Sequence, residues 1–270
     1  MPFATVGGLK MHYEWHGRET GTPVVLIMGL GGDSTAWGLQ LAALAPIRRC
    51  LLFDNRGVGR TDAPDAPYST GQMAGDLLGL LDALDVRRAH LLGVSMGGAI
   101  AQEAALAAAD RVASLQLHCT WAGPDPYFRA VVQGFKMTRL QLGREGFLRA
   151  VFPWVFTPQC YAERFEFLES MIQYALAHPH PQPLHAYLRQ TEAVLAHDVR
   201  ARLEQVCCPT LVTVGSEDIL TRPALAQELA ALIPGARLEV IPTVGHGYFW
   251  ETPEAFNAAC LAFLADAERE

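Results

Sequence analysis

Long apolar runs are missing from this chain. None approaches the ~20 residues that a membrane-crossing helix needs, so no membrane partner is expected. Positive charge is also scarce: 21 Lys or Arg stand against 28 Asp or Glu in 270 residues, a formal net charge of -7. The basic residues form no stripe, so the dense cationic face required by a nucleic-acid partner is absent. That balance favours a small molecule that is not strongly anionic. The six cysteines (Cys50, Cys119, Cys160, Cys207, Cys208 and Cys260) show neither CxxC pairs nor Cys/His metal spacing. They read as buried, reduced thiols of a cytoplasmic protein. Met1 to Gly8 carries no basic stretch followed by an apolar one, so no secretory leader is expected. Neither a metal nor a cofactor is expected. The histidines at 178, 180 and 185 lie among prolines and read as a loop.

Apolar residues, by contrast, make up half the chain, enough for a substantial core without staples. Phe3 to Val6 and Leu9 to Trp15 alternate like strands around a Gly7-Gly8 turn. Val24 to Met28 and Cys50 to Phe53 are continuous apolar runs, the mark of strands buried on both faces of a parallel sheet. Met73, Leu77, Leu80, Leu81 and Leu84 recur at helical spacing behind Ser69 or Thr70 as a cap. His90 to Val94 reads as a strand, Met96 to Ala108 as an alanine-rich helix, and Val112 to Cys119 as a further strand. The alternation then stops. Helical stretches rich in aromatics fill the chain to about Asp198, broken by prolines near residues 179 to 183. Strand and helix alternate again from Thr210 onward. Such a pattern predicts a parallel sheet covered by helices on both faces, with a helical insertion. The expected units are a first core segment (1–121), a helical cap or lid (122–198) and a second core segment (199–270).

Gly93-Val94-Ser95-Met96-Gly97 lies between an apolar strand and a helix, where a G-x-S-x-G nucleophile elbow belongs. Glycines are needed there because the serine occupies a strained positive-φ turn, and side chains beside it would collide with strand and helix. A serine hydroxyl needs a base to take its proton. His246, between Gly245 and Gly247 after the last predicted strand, is the candidate. An unperturbed imidazole is neutral above about pH 6.5, so kcat/KM is expected to fall below that. Glu217 and Asp218 follow the penultimate strand. Asp218, the shorter and further into the loop, is chosen as the acid that orients the imidazole, with Asp125 as a rival. Backbone N–H groups of Met96 and of Leu30, in the Met28-Gly29-Leu30-Gly31 loop, are the expected oxyanion donors. Asp54 and Arg56 at the end of a strand read as structural knitting of the turn.

These ordered motifs, with Asp54-Asn55-Arg56-Gly57-Val58-Gly59, resemble the α/β-hydrolase superfamily, particularly small bacterial serine esterases and 3-oxoadipate enol-lactonase-like enzymes. The resemblance implies a mostly parallel eight-stranded sheet with an inserted helical cap, and supports Asp218 as the triad acid. It is weakest over the insertion. Where the family often has His-Gly, this chain has Met28-Gly29, losing a loop-bracing side chain but no triad member. Serine at the elbow weighs against relatives that use a carboxylate nucleophile. The expected activity is cleavage of a small, largely apolar carboxylic ester through an acyl-enzyme. Lactonase, C–C hydrolase of a ring-cleavage product and cofactor-free perhydrolase are the alternatives within enzymes, and a ligand-sensing signalling protein is the alternative outside them. Trp121, Phe128, Phe135, Trp154 and Phe249 are the expected pocket residues, with Phe152, Phe156, Phe165, Phe167 and Trp250 as further candidates. Seven basic residues of the insertion are possible carboxylate partners. A monomer or homodimer is expected.

Overall fold

The computed structural model describes residues 2–269. Eight strands form one sheet: β1 (Phe3–Val6), β2 (Leu9–Gly17), β3 (Val24–Ile27), β4 (Arg49–Phe53), β5 (Ala89–Val94), β6 (Val112–His118), β7 (Thr210–Gly215) and β8 (Arg237–Ile241). Their spatial order is β1-β2-β4-β3-β5-β6-β7-β8. The first two strands pair antiparallel with their neighbours and all later pairs are parallel. The Gly7-Gly8 turn joins β1 to β2 with both residues at positive φ, as a two-residue hairpin requires.

Strand residues alternate between two cores, which is why these runs are apolar throughout. Val25, Ile27, Leu51, Phe53 and Leu91 face one cluster, shared with helices α2 (Thr70–Ala83) and α3 (Met96–Ala107). Val24, Leu26, Cys50, Leu52 and Leu92 face another, packed on α1 (Gly38–Leu44) and α9 (Pro253–Ala267). Each such Val, Leu or Ile contributes about 1.5–3 kcal/mol by leaving water. Ser69 caps α2, its hydroxyl accepting from the Gln72 N–H at 3.0 Å.

Between β6 and β7 the chain forms α4 (Pro126–Val155), α5 (Pro158–Ala177) and α6 (Leu184–Ala196). Helix α4 is bent at Gly143, whose φ of 66° breaks the helical run, and α5 at Arg164. The two halves of α4 fold toward each other, bringing Phe135 within 6.4 Å of Phe147 and 5.8 Å of Trp154, ring centre to ring centre. Phe152, Phe156, Cys160, Leu168 and Ile172 form a small core belonging to the insertion itself. After β7 come α7 (Pro223–Leu232), β8, the short α8 (Tyr248–Glu251) and α9. No helix among the described residues is long and apolar enough to cross a membrane.

From β3 the chain crosses first to β4 on one side and then to β5 on the other. Loops leaving the carboxyl ends of strands at such a reversal converge on one crevice. The loops after β3, β5, β7 and β8 carry the candidate residues.

Candidate active site

Ser95 sits at φ 57° and ψ -121°, between the last residue of β5 and the first of α3. A side chain is held in this strained region, at a cost of about 1–3 kcal/mol, only when its surroundings leave no alternative. Here the surroundings are backbone. A Cβ at Gly97 would lie 2.0 Å from the Ile27 carbonyl oxygen, and one at Gly93 would lie 2.4 Å from that of Gly97. The Ser95 N–H donates to the His118 carbonyl at 2.9 Å, and the Thr120 hydroxyl donates to the Ser95 carbonyl at 2.8 Å. The turn is thus clamped by the adjoining strand.

Asp218 is buried after β7, and its carboxylate is fully engaged. One oxygen accepts from the backbone N–H groups of Leu220 and Thr221 at 2.8 and 2.7 Å. The other takes the Thr221 hydroxyl at 2.7 Å and lies 2.9 Å from His246 Nδ1. Thr221 Oγ1 is itself 2.9 Å from the same imidazole nitrogen. A carboxylate so anchored fixes the ring and keeps Nδ1 protonated, leaving Nε2 as the acceptor. Glu217 is exposed, and Asp125 is elsewhere: it caps α4, accepting from Phe128 N–H at 2.8 Å, and pairs with Arg222. Thr221 was missed in the sequence reading; a hydroxyl three residues beyond the acid was its only signal.

Ser95 and His246 line one cavity of about 770 Å³ beneath the inserted helices. No hydrogen bond joins their side chains directly among the described residues. Contacts of this kind commonly tighten only when substrate is bound. The N–H groups of Leu30 and Met96 have no hydrogen-bond partner among the described residues. Gly29 passes so close to the elbow that a Cβ there would lie 3.1 Å from Ser95 Cβ. The loop after β3 is held from two sides. Asp54 accepts from Ser34 N–H at 2.8 Å and Arg60 N–H at 2.9 Å, while Arg56 pairs with Asp76 rather than with Asp54. From the insertion, the buried Gln190 accepts from the Gly31 N–H at 3.1 Å and donates to the Arg56 carbonyl at 2.8 Å.

Loop residues around His246 are likewise tied to the insertion. Gly247 N–H donates to the Val155 carbonyl at 2.7 Å, and Thr157 N–H donates to the Glu251 carboxylate at 3.0 Å. Burial pushes the Glu251 carboxyl upward. Behind the imidazole, the Cys119 thiol donates to the His246 carbonyl at 3.1 Å. The Cys119, Asp218 and His246 donor atoms lie within 4.8 Å of one another. Burial pushes the thiol well above its usual range, though, which makes it a poor metal ligand.

Trp121, Phe128, Phe135 and Phe249 line the cavity, as do Phe152, Phe167 and Trp250. Trp154 does not, contrary to the sequence expectation. It falls just outside the arc of α4 that faces inward, and its indole turns onto Phe135. Phe156 stacks on Trp250 at 6.0 Å instead of lining the cavity, and Phe165 is exposed.

The family model for the α/β hydrolase fold matches residues 22–253. Over all 270 residues the chain is 35% identical to a protein of Azorhizobium caulinodans named as a carbamate hydrolase, RutD, covering 100% of each. Among solved structures, the enol-lactonase from Burkholderia xenovorans is similar with a TM-score of 0.89 and 33% identity, over 98% of this chain and 100% of that one. An enzyme described as degrading N-acyl homoserine lactones gives a TM-score of 0.85 and 31% identity, over 97% and 100%. Sheet order, elbow and whole-length similarity agree: this chain belongs to the α/β hydrolase fold family.

Proposed function

We propose that this hydrolase cleaves a carboxylic ester or lactone in two acyl-transfer steps, with Ser95 as nucleophile. The observation that carries the reading is a strained, cavity-facing serine sharing its cavity with an imidazole whose Nδ1 is bound to a buried carboxylate. Ser95 Oγ attacks the carbonyl carbon as its proton passes to His246 Nε2. The oxyanion is met by the N–H groups of Leu30 and Met96, and the leaving oxygen then takes the proton from the imidazolium. Water, deprotonated by the same nitrogen, releases the acyl group. Asp218 stabilises the imidazolium in both halves. The inserted helices act as a lid that supplies an apolar pocket and excludes water.

Lactone cleavage draws support from the two lactone-named structural neighbours, at 33% and 31% identity. A second reading, hydrolysis of a carbamate, is favoured by the carbamate hydrolase named above, matched over its full length. The same groups would then form and hydrolyse a carbamoyl-serine. A fluorophosphonate probe together with ester, lactone and carbamate panels tests both. Labelling at Ser95 and multiple turnovers are expected, with Ser95→Ala lowering kcat by about 10⁴-fold or more. Near-normal turnover by that variant would overturn the mechanism. Labelling without turnover would indicate a sensor instead.

A further inference from the structure

The insertion carries seven Lys or Arg side chains, and the structure separates them by what each one meets. Five are occupied elsewhere. Arg129 donates to the Leu195 carbonyl, Lys136 to Glu192, and Arg149 to Glu145 and Glu169. Arg164 donates to the Trp250 and Glu251 carbonyls, and Arg189 pairs with Asp65 and Glu192. Arg139 and Arg144 remain, and both line the cavity that holds Ser95 and His246.

Their placement follows from the bend in α4. Phe128, Val132, Phe135 and Arg139 recur at helical spacing on the inward face, so Arg139 stands about 16 Å along the helix from Phe128. Gly143 then turns the chain back and sets Arg144 at the same end. Among the described residues neither guanidinium forms an ion pair. Arg139 lies 5.9 Å from the centre of the Tyr187 ring, and Arg144 makes one long hydrogen bond, 3.5 Å, to the Leu176 carbonyl. Asp33, the carboxylate of the lining, is already held by the Thr35 N–H and hydroxyl and lies 3.3 Å from His178. Tyr187 gives a further sign: it is 2% exposed, lines the same cavity, and its hydroxyl, with the Thr191 side chain nearby, makes no hydrogen bond within 3.5 Å. Burial lowers both arginines from their ordinary range; at Arg144 the neighbouring Arg139 adds to this and the Asp33 carboxylate works against it. Two half-buried like charges beside a buried phenol are complementary to a single anion.

We propose that Arg139 and Arg144, with the Tyr187 hydroxyl, hold a carboxylate at the far end of a substrate whose reacting carbonyl lies at Ser95. The apolar walls between them take the carbon skeleton. The net charge of the whole chain argues against an anionic substrate, but the local charge of the cavity decides binding, and there the arginines outnumber Asp33. The identity of the reacting bond rests on the serine-hydrolase reading; the carboxylate site does not.

Calorimetry on the Ser95→Ala protein separates the two. Monomethyl adipate, bearing one carboxylate, is expected to bind at least about tenfold more tightly than dimethyl adipate. Arg139→Gln with Arg144→Gln should abolish that preference while leaving the affinity for the diester within about twofold. Equal binding of the two adipates, or a preference that survives the double substitution, would overturn the proposal. In the Ser95-containing enzyme, nitrophenyl esters with and without a distal carboxylate, placed on either the acyl or the alcohol side, give the matching kcat/KM ratio. Turnover of neutral esters without any charge preference would sink the carboxylate site and leave the hydrolase reading standing.

Discussion

Helices α3 and α4 show two ways of building the walls of one site. The 12-residue α3 buries nine residues, most of them glycine and alanine, and lies close against the sheet. The 30-residue α4 buries four, is bent at Gly143, and lines a cavity with side chains that also belong to the hydrophobic clusters. Close packing leaves the elbow no alternative geometry, while an open face lets side chains change without disturbing the fold. On the proposed reading, chemistry lies on the tightly packed part and selectivity on the loosely packed part.

Substitutions on the two sides should differ accordingly. The largest effect is expected at the carboxyl ends of the strands. Asp218→Asn keeps the shape but disturbs the hydrogen bonding that sets the imidazole, and kcat should fall about 10³- to 10⁴-fold with native far-UV circular dichroism retained. A loss below about tenfold would show that Thr221 alone can orient the ring. Next, Gly97→Ala places a methyl against the Ile27 carbonyl, and urea unfolding should show a loss of about 3 kcal/mol.

Acid should act on the sheet in a graded way. His118, on β6, is buried against Thr213 and Tyr248, and burial lowers its pKa to about 3. The unfolded chain takes up this proton below about pH 6.5 while the folded chain refuses it until near pH 3. Stability should therefore decline by about 1.4 kcal/mol per pH unit from this site as pH falls through that window, and be unaffected above it. His197, lowered to about 4 by burial, adds to the slope. A His118→Asn variant, less stable at neutral pH, should lose less on acidification in thermal melts at stepped pH. The smallest effect belongs to the insertion. A Cβ at Gly134, on the exposed side of α4, meets nothing within 4 Å, so Gly134→Ala should raise stability by about 0.5–1 kcal/mol. If Gly134→Ala proved as damaging as Gly97→Ala, the contrast between the two helices would fail.

The same contrast explains what the sequence disclosed. The positions of Ser95, Asp218 and His246 after β5, β7 and β8 were legible because strand and helix periodicity place each motif at a strand end, and glycines mark where backbones must nearly touch. The pocket was less legible. Helical spacing keeps its phase only along an unbroken helix, and Gly143 resets it, so Phe152 and Trp154 could not be told apart. Gln190 was not identified at all, since its partner Gly31 lies 159 residues away and an isolated glutamine carries no pattern. Arg139 and Arg144 were visible as charges, but their freedom depends on where the other five basic residues find partners.

The seam between insertion and sheet bears on how such enzymes diverge. Gln190 reaches across it to Gly31, and Thr157 reaches across it to Glu251. A chimaera that imports residues 122–198 from a relative would bring a new pocket, yet would lose the Gln190 amide that fixes the Gly31 N–H and would leave the half-buried Glu251 carboxylate without its Thr157 donors unless the donor carries matching groups at both crossings. Exchange of this segment during evolution would thus have to proceed by paired changes on either bank.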